Sequence, residues 1–422
     1  MYTTLNKQTS FFVVLSLILV LFSTCRKGSS KYKSSNTLTI QWQKTIGNTN
    51  QVIIYNAQQT TDGGYILAGH KINGLKNFNY WIVKLNSNAD IEWEKTYGGS
   101  SNDAANNIRQ TTDGGYIVVG STFSNDGSIT NNKGCSDAWI LKLNTNGDIE
   151  WQKTYGGSIH DYLVNIKQTT DGGYIATGQT RSNNGDIPNN QGDFDAWIIK
   201  IDANGNLEWS KTFGGTNGDI VNDVQQTING EYLIVGQTQS NNGDITNNHG
   251  YIDLWIIKLQ TNGNLAWQKT CGGSSSDYAN CIQKTNDGHY IIAGGTESND
   301  GDITNLHGNE DAWIIKIDDL GNILQQTTVS TNNKESAYSI LQTHNNNFLI
   351  AGYSSNINSD KLHTFIAALN TDFTLLWQQQ IPQENNGSSA TAIFETPDYG
   401  YMLFGNQYDE NLSSNTFIIK LK

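Results

Sequence analysis

Tryptophan recurs in this chain at a fixed interval, and this interval constrains the fold more than any other feature. One series has a step of 58 residues and is continued by Gln325; its members are Trp93, Trp151, Trp209 and Trp267. A second series has the same step, and its members are Trp81, Trp139, Trp197, Trp255 and Trp313; Phe365 and Phe417 continue it at a step of 52. A long fixed period of this kind indicates a tandem-repeat fold.

Each repeat contains four strand-like runs separated by turn-forming residues. In the unit that starts at Trp93, these are strand A (103–111), strand B (116–122), strand C (138–144) and strand D (148–155). Asp-Gly-Gly at 113–115 and Asn-Gly at 146–147 predict tight hairpin turns, because Gly and Asn accept the positive φ that such turns require. No segment shows a 3.6-residue apolar period, so we expect essentially no helix.

Seven such units predict an all-β fold, a seven-bladed β-propeller of four-stranded antiparallel blades. The repeat units start near residues 42, 93, 151, 209, 267, 325 and 377. A lone D strand precedes the first A strand, and a C strand ends the last unit. We therefore predict that the N-terminal strand completes the last blade and closes the ring, which removes exposed sheet edges. The alternative is an open solenoid.

The first 24 residues are predicted to be a lipoprotein signal peptide. Their apolar run, 11–22, is too short to span a bilayer but has the length of a signal-peptide core. The segment from Leu21 to Cys25 resembles a bacterial lipobox, which makes Cys25 the expected lipidation site. The alternative is an ordinary signal peptide with an incidental cysteine. Residues 25–36 are predicted to be a flexible tether, and 37–422 the propeller.

Charge and cysteine content limit the classes of partner. The formal net charge is −13, which disfavours binding to nucleic acid. We expect a monomer that contacts the membrane only through its lipid anchor. The other cysteines are Cys135, Cys271 and Cys281. None has the spacing of a zinc site, and a disulfide between Cys271 and Cys281 is left open.

The connection between strands B and C is longer by about seven residues in blades 2–5 than in the other three blades. Each long loop carries an Asn/Asp-rich turn around a glycine, for example Asn183 to Ile187. Each is followed by an aspartate: Asp137, Asp195, Asp253 and Asp311. Such oxygen-rich turns make calcium the one cofactor to consider, although ordinary Asx turns explain the same residues without metal.

A second set of acidic residues recurs at a fixed offset after each Gly-Gly pair: Asp103, Asp161, Asp219 and Asp277, with Glu335 in blade 6. Repetition favours a hydrogen-bond acceptor that closes a loop rather than a catalytic group. His249 and His307 share one loop position, which gives a weak hint of a shared metal. No recognised catalytic motif is present, so we predict no catalytic residues and no enzyme activity.

Two resemblances add to this interpretation. The segment DAWIIKIDANGNLEWSKTFGG (195–215) resembles the repeat of quinoprotein alcohol dehydrogenase-like propellers. The pattern WQKTYGG, DGGYI, NGDI and DAWIIK, which covers 41–422, resembles tandem-repeat propeller lipoproteins and secreted proteins of the Bacteroidota type. The second resemblance implies a propeller in the bacterial cell envelope. The first resemblance does not imply a quinone cofactor, because the acidic, arginine and paired-cysteine features that hold a quinone are not found in this sequence. The second implies no activity, because that family has no agreed biochemical activity.

The sequence thus favours a non-catalytic, lipid-anchored binding or scaffold propeller of the bacterial outer membrane, with the side of the membrane left open. Its partner is an unidentified protein or glycan, recognised through the long B–C loops of blades 2–5, because loops on a rigid scaffold commonly carry recognition. The alternative is an envelope enzyme, a hydrolase or a quinoprotein-like oxidoreductase, with its site in the central funnel.

Overall fold

The fold was analysed in a computed structural model, which describes residues 38–47, 51–72, 77–331, 333–356, 361–382, 387–408 and 414–422. The predicted signal peptide, Cys25 and the tether lie outside these residues. The described part of the chain contains 28 β-strands and no helix. It therefore contains no helix that is long and apolar enough to cross a membrane.

The strands follow one another in groups of four. The first strand is β1 (Ile40–Ile46). Blade 1 contains β2 (Val52–Gln59), β3 (Tyr65–Ile72), β4 (Phe78–Leu85) and β5 (Ile91–Tyr97). Blade 2 contains β6 (Asp103–Gln110), β7 (Tyr116–Thr122), β8 (Asp137–Leu143) and β9 (Ile149–Tyr155). Blade 3 contains β10 (Asp161–Gln168), β11 (Tyr174–Thr180), β12 (Asp195–Ile201) and β13 (Leu207–Phe213).

Blade 4 contains β14 (Asp219–Gln226), β15 (Tyr232–Thr238), β16 (Asp253–Leu259) and β17 (Leu265–Cys271). Blade 5 contains β18 (Asp277–Lys284), β19 (Tyr290–Thr296), β20 (Asp311–Ile317) and β21 (Ile323–Val329). Blade 6 contains β22 (Lys334–Gln342), β23 (Phe348–Ser355), β24 (Leu362–Leu369) and β25 (Leu375–Ile381). Blade 7 contains β26 (Gly387–Glu395), β27 (Tyr401–Tyr408) and β28 (Ser414–Leu421).

The predicted architecture is confirmed, including the closure of the ring. Each of the first six blades pairs its four strands in chain order, and all pairs are antiparallel. In blade 7 the order is β1-β28-β27-β26, so the N-terminal strand is the fourth strand of the last blade. Thr45 lies opposite Phe417, and the N–H of Thr39 donates to the carbonyl of Lys422 at 2.8 Å. An open solenoid is excluded.

The hydrophobic core lies between neighbouring blades. Seven clusters of buried side chains each join two adjacent blades. The second tryptophan series fills these clusters: Trp139, Trp197 and Trp255 are fully buried, as expected of rings that pack between twisted sheets. The first series is only half-buried; Trp93, for instance, packs edge-on against Tyr116 with ring centroids 5.8 Å apart.

Every innermost strand carries a β-bulge. In β6 the register with β7 shifts between Ala105 and Asn107, and the other six blades have the same shift at the equivalent place. Gly120 of β7 faces this bulge; a Cβ atom there would lie 1.9 Å from the carbonyl oxygen of Ala104. Bulges change the direction of nearby side chains, and here the bulged residues line the central channel.

Candidate functional site

The two faces of the propeller are built differently. The A–B and C–D turns form one face, on which a buried lysine of strand C repeatedly joins the A–B turn to strand D. Lys142, for example, bonds Asp113 and Glu150, each at 2.9 Å. The opposite face, hereafter the loop face, carries the D–A connections and the long B–C loops, 123–136, 181–194, 239–252 and 297–310.

The Asn/Asp-Gly segments of the long loops hold these loops down onto the blades. The Oδ1 atom of Asn184 accepts the N–H of Ser158 in the D–A connection at 2.9 Å. Ile187, three residues later, is buried and belongs to the core between blades 2 and 3. Equivalent bonds are made by Asp126, Asn242 and Asp300. These residues therefore have a structural role that does not require a metal.

We expect the substitution Asn184→Ala to lower the free energy of unfolding by about 1 kcal/mol, because it removes the hydrogen bond to the Ser158 N–H. Urea denaturation measures this change. Asn189→Ala is the control, since Asn189 lies in the same loop and is equally exposed, and it should leave the stability unchanged within about 0.5 kcal/mol. Equal effects of the two substitutions would contradict the proposed role of Asn184.

The recurrent aspartates after the Gly-Gly pairs close the loops, as predicted. Asp161 is fully buried; its Oδ2 accepts the N–H of Gly157 at 2.7 Å and the hydroxyl of Ser182 at 2.8 Å, and its Oδ1 accepts the hydroxyl of Thr180. The same bonds recur at Asp103, Asp219 and Asp277. Both carboxylate oxygens of these aspartates thus accept hydrogen bonds from protein donors.

The aspartates that follow the long loops are different, since each keeps one oxygen unpaired. The Oδ2 of Asp137 accepts the N–H of Lys133 at 2.7 Å, whereas its Oδ1 is buried without a hydrogen-bond partner. Burial, together with the nearby charge of Asp161, raises the pKa of Asp137 to about 7. Within the described residues no group of three or more His, Cys, Asp or Glu side chains could hold a metal ion.

The loop face also brings together side chains that do not repeat. Five of them, here called the mouth cluster, surround the junction of blades 2 and 3. Phe123 lies 6.0 Å from His160, His160 lies 6.4 Å from Tyr162, and Tyr162 lies 5.7 Å from Phe194, measured between ring centroids. The guanidinium of Arg181 lies 4.1 Å above the Phe194 ring.

Sequence reasoning missed the mouth cluster. The position of Phe123 is occupied by Arg181 in blade 3, Gln239 in blade 4 and Glu297 in blade 5. That of Tyr162 is occupied by Ala104 in blade 2 and Ile220 in blade 4, and a tyrosine recurs there only in blade 5, as Tyr278. The signal was therefore a departure from the repeat, which a search for recurrence discards. The positions that vary from blade to blade meet at the mouth of the funnel, while the repeated ones form the scaffold.

A second group lies between blades 5 and 6, where Tyr278 occupies the position of Tyr162 and Glu310 that of Phe194. Glu310 is buried and accepts hydrogen bonds from the hydroxyls of Tyr278 and Tyr353, the latter at 3.3 Å. Tyr278 also bonds the hydroxyl of Ser336 at 2.9 Å. Burial raises the pKa of Glu310. These groups bond one another, and the network bridges two blades.

The central channel encloses about 980 Å³ and is lined by the innermost strands of all seven blades. One side of it carries asparagines at the bulge position, and the other side carries Tyr55, Tyr338 and Tyr408. Arg109, Lys167, Lys284 and Asp223 supply charge. The lining is thus partly repeated and partly unique to single blades.

The other candidate residues are not brought together. Cys135, Cys271 and Cys281 are free thiols, so the disulfide left open between the last two is not formed. His249 and His307 each lie beside the aspartate of their own blade: Nδ1 of His249 is 2.8 Å from Asp253 and Nδ1 of His307 is 3.8 Å from Asp311.

Comparison with known proteins supports the fold and leaves the family open. No protein-family model matches the chain. The regulatory protein FlaEY of Caulobacter vibrioides is 22% identical over 200 residues, which cover 42% of this chain and 20% of that protein. The match thus spans about a fifth of the length of this curated relative.

Among solved structures, a family PL25 polysaccharide lyase, an ulvan lyase bound to -[GlcA(1-4)Rha3S]-, superposes with a TM-score of 0.50 at 9% identity, covering 88% of this chain and 95% of that one. An ancestral GH74 enzyme gives 0.45 at 11% identity, with 90% and 48% covered. At such identities, the similarity to the ulvan lyase shows a shared fold and nothing about activity.

Proposed function

We propose that this chain is a non-catalytic binding or scaffold propeller, anchored in the bacterial cell envelope through a lipid on Cys25. It recognises a protein or glycan through the loop face of blades 2–5. The observation that carries the proposal is the mouth cluster, in which exposed and half-buried aromatic and charged side chains replace other residue types of the repeat at the rim of a regular scaffold. Binding surfaces are enriched in aromatic residues and arginine.

The absence of catalysis is part of the proposal. On the loop face, Glu310 is held by two tyrosine hydroxyls that join blades, and both oxygens of Asp103, Asp161, Asp219 and Asp277 accept hydrogen bonds from backbone and hydroxyl donors. A catalytic site instead needs unlike groups directed at a common point. The name of the curated relative, a regulatory protein, agrees with a binding role.

Shortening the long loops is not a suitable test of the loop face, because these loops contribute side chains to the core. Because Ile129, Ile187, Ile245 and Ile303 of the long loops are buried in the core, shortening these loops would remove core side chains. Surface substitutions avoid this problem. Phe123, Arg181 and Tyr251 each come from a different long loop, and Phe123 and Tyr251 are 42% and 69% exposed.

We expect the triple substitution Phe123→Ser, Arg181→Ser and Tyr251→Ser in the full chain to reduce partner capture from envelope extracts at least tenfold, because it removes the exposed apolar and cationic contacts. The measurement is quantitative pull-down with mass spectrometry. The matched control is Ile228→Ser with Leu320→Ser, which changes exposed apolar residues on the turn face. Equal capture by the triple variant and the wild type would refute recognition through the loop face.

A further inference from the structure

Arg109 is a half-buried cation of the channel wall that makes no ion pair. Its Nη1 donates to Oδ1 of Asn56 at 2.8 Å and to the carbonyl of Ile108 at 3.1 Å. No carboxylate lies within ion-pair distance of its guanidinium in the described part of the chain. Burial lowers the pKa of Arg109, yet a guanidinium stays charged in proteins. The charge of Asp223 acts on Arg109 only from beyond ion-pair distance. A partly desolvated cation without a direct ion pair is stabilised by a bound anion, so this position favours an anion in the channel.

In the neighbouring blade, the cation at the equivalent repeat position is paired with a carboxylate. Lys167 stands in blade 3 where Arg109 stands in blade 2, and its Nζ lies 2.9 Å from Asp223. Asp223 is thus engaged by Lys167, and it also accepts the N–H of Ile282 at 3.0 Å. Lys284, at the end of β18, also lines the channel but is exposed to solvent. The charged groups therefore leave positive charge in excess, and the part carried by Arg109 is a planar guanidinium, which matches the two oxygens of a carboxylate.

One wall of the channel offers hydrogen-bond acceptors. At the bulge position, Asn106, Asn222 and Asn280 each donate their amide N–H to a carbonyl of the next innermost strand at 2.8–2.9 Å. Their amide oxygens have no protein donor among the described residues and are not shielded within the core. These oxygens can accept hydrogen bonds from ligand hydroxyl groups.

The opposite wall offers aromatic faces. At the same bulge position, blades 6 and 1 carry Tyr338 and Tyr55 on either side of Thr391 of blade 7. Both tyrosines line the channel, and they are 42% and 43% exposed. An apolar ring that remains open inside a concave site is available to a ligand with apolar faces.

We propose that the central channel binds a short saccharide that carries one carboxylate. Arg109 pairs with the carboxylate, the asparagine oxygens accept hydrogen bonds from the hydroxyl groups, and Tyr55 and Tyr338 cover the C–H faces of the sugar rings. The cavity of about 980 Å³ has the size of a small-ligand site. This site is separate from the loop face and does not depend on the partner proposed there.

Isothermal titration of the full chain with two matched disaccharides tests this proposal. The probes are cellobiouronic acid, which carries one carboxylate, and cellobiose, in which a hydroxymethyl group replaces it. We expect the acid to bind at least ten times more tightly than the neutral sugar. Arg109→Gln should reduce the affinity for the acid at least tenfold, while binding of the neutral sugar stays unchanged.

The Arg109→Gln variant is designed to fold. Glutamine is the native residue at this position in three other blades, as Gln58, Gln225 and Gln283. Lys211→Gln, which removes a charge from an outer strand, is the control and should bind like the wild type. No binding of the acid at millimolar concentration, or equal affinities of the acid for wild type and Arg109→Gln, would overturn the proposal. Equal affinities for the acid and for acetate would do the same, since they would leave the sugar unrecognised.

Discussion

Deleting residues 38–47 is expected to lower the melting temperature of the propeller by roughly 10 °C or more, with unfolding that is no longer a single cooperative transition. These residues contain β1, which pairs with β28 and closes the ring. Trp42 and Ile46 also pack against the core between blades 7 and 1. Without them β28 becomes an open edge next to exposed apolar surface, which favours aggregation. Calorimetry and light scattering measure both effects.

A permuted chain provides the control for this deletion. Thr39 and Lys422 exchange two backbone hydrogen bonds, at 2.8 and 3.0 Å, so a short hairpin turn can join Lys422 to a copy of 38–47 placed after it. We expect this chain to regain at least most of the lost melting temperature, because the same strand again pairs with β28. A deletion variant that melts like the wild type would show that ring closure does not stabilise the fold.

The strand pattern could be predicted from sequence because each strand and each turn recurs in several repeats, and the copies could be compared with one another. The predicted strand B (116–122) coincides with β7 (Tyr116–Thr122), and the predicted strand A (103–111) exceeds β6 (Asp103–Gln110) by one residue. The turns are fixed by residues that take positive φ, such as Gly114 and Gly147. Repetition therefore located both the elements and the loop-closing role of Asp161.

The candidate sites could not be predicted in this way. The bulge in β6 shifts the alternation of side chains by one position, so counting in steps of two does not identify Asn106 as a channel residue. The mouth cluster depends on which variable positions of different blades approach one another, as Phe123 and His160 do. Such proximity comes from the curvature of the ring and leaves no local trace in the sequence.

The unpaired oxygen of Asp137 leads to a prediction about pH. A methyl group on Gly156 would lie 2.6 Å from Oδ1 of Asp137 and 2.8 Å from Oδ2 of Asp161, so the two carboxyl groups approach the same glycine. Asp186 adds a third carboxylate, which accepts the N–H of Gly156 at 3.0 Å, and Lys133 is the nearby cation. Burial and these neighbours hold the pKa of Asp137 at about 7, against 3.8 for an ordinary aspartate.

A raised pKa means that the folded state binds the proton more tightly than the unfolded state does. The stability contributed by protonated Asp137 is fully present below about pH 4 and is lost as the pH rises through about 7. Over this window the loss amounts to roughly 4 kcal/mol, and Asp195, whose pKa is raised to about 6, adds a loss in the same direction. The pKa of Asp113 is lowered to about 2, so its contribution stays constant between pH 5 and 7.5.

We therefore expect Asp137→Asn to raise the free energy of unfolding at pH 7.5 by about 2–4 kcal/mol and to flatten its dependence on pH between 5 and 7.5. The amide mimics the neutral carboxyl group, and blade 1 already carries Asn79 at the equivalent position. Urea denaturation at a series of pH values measures the effect. Asp372→Asn, which changes an exposed turn residue, alters the net charge equally and should leave the pH profile of the wild type intact.

Two results would contradict this prediction: a wild-type chain that becomes more stable from pH 5 to 7.5, or a pH profile that Asp137→Asn does not alter. Either would show that ionisation of this carboxyl group does not lower the free energy of unfolding. In that case its unpaired oxygen would require a cation rather than a proton.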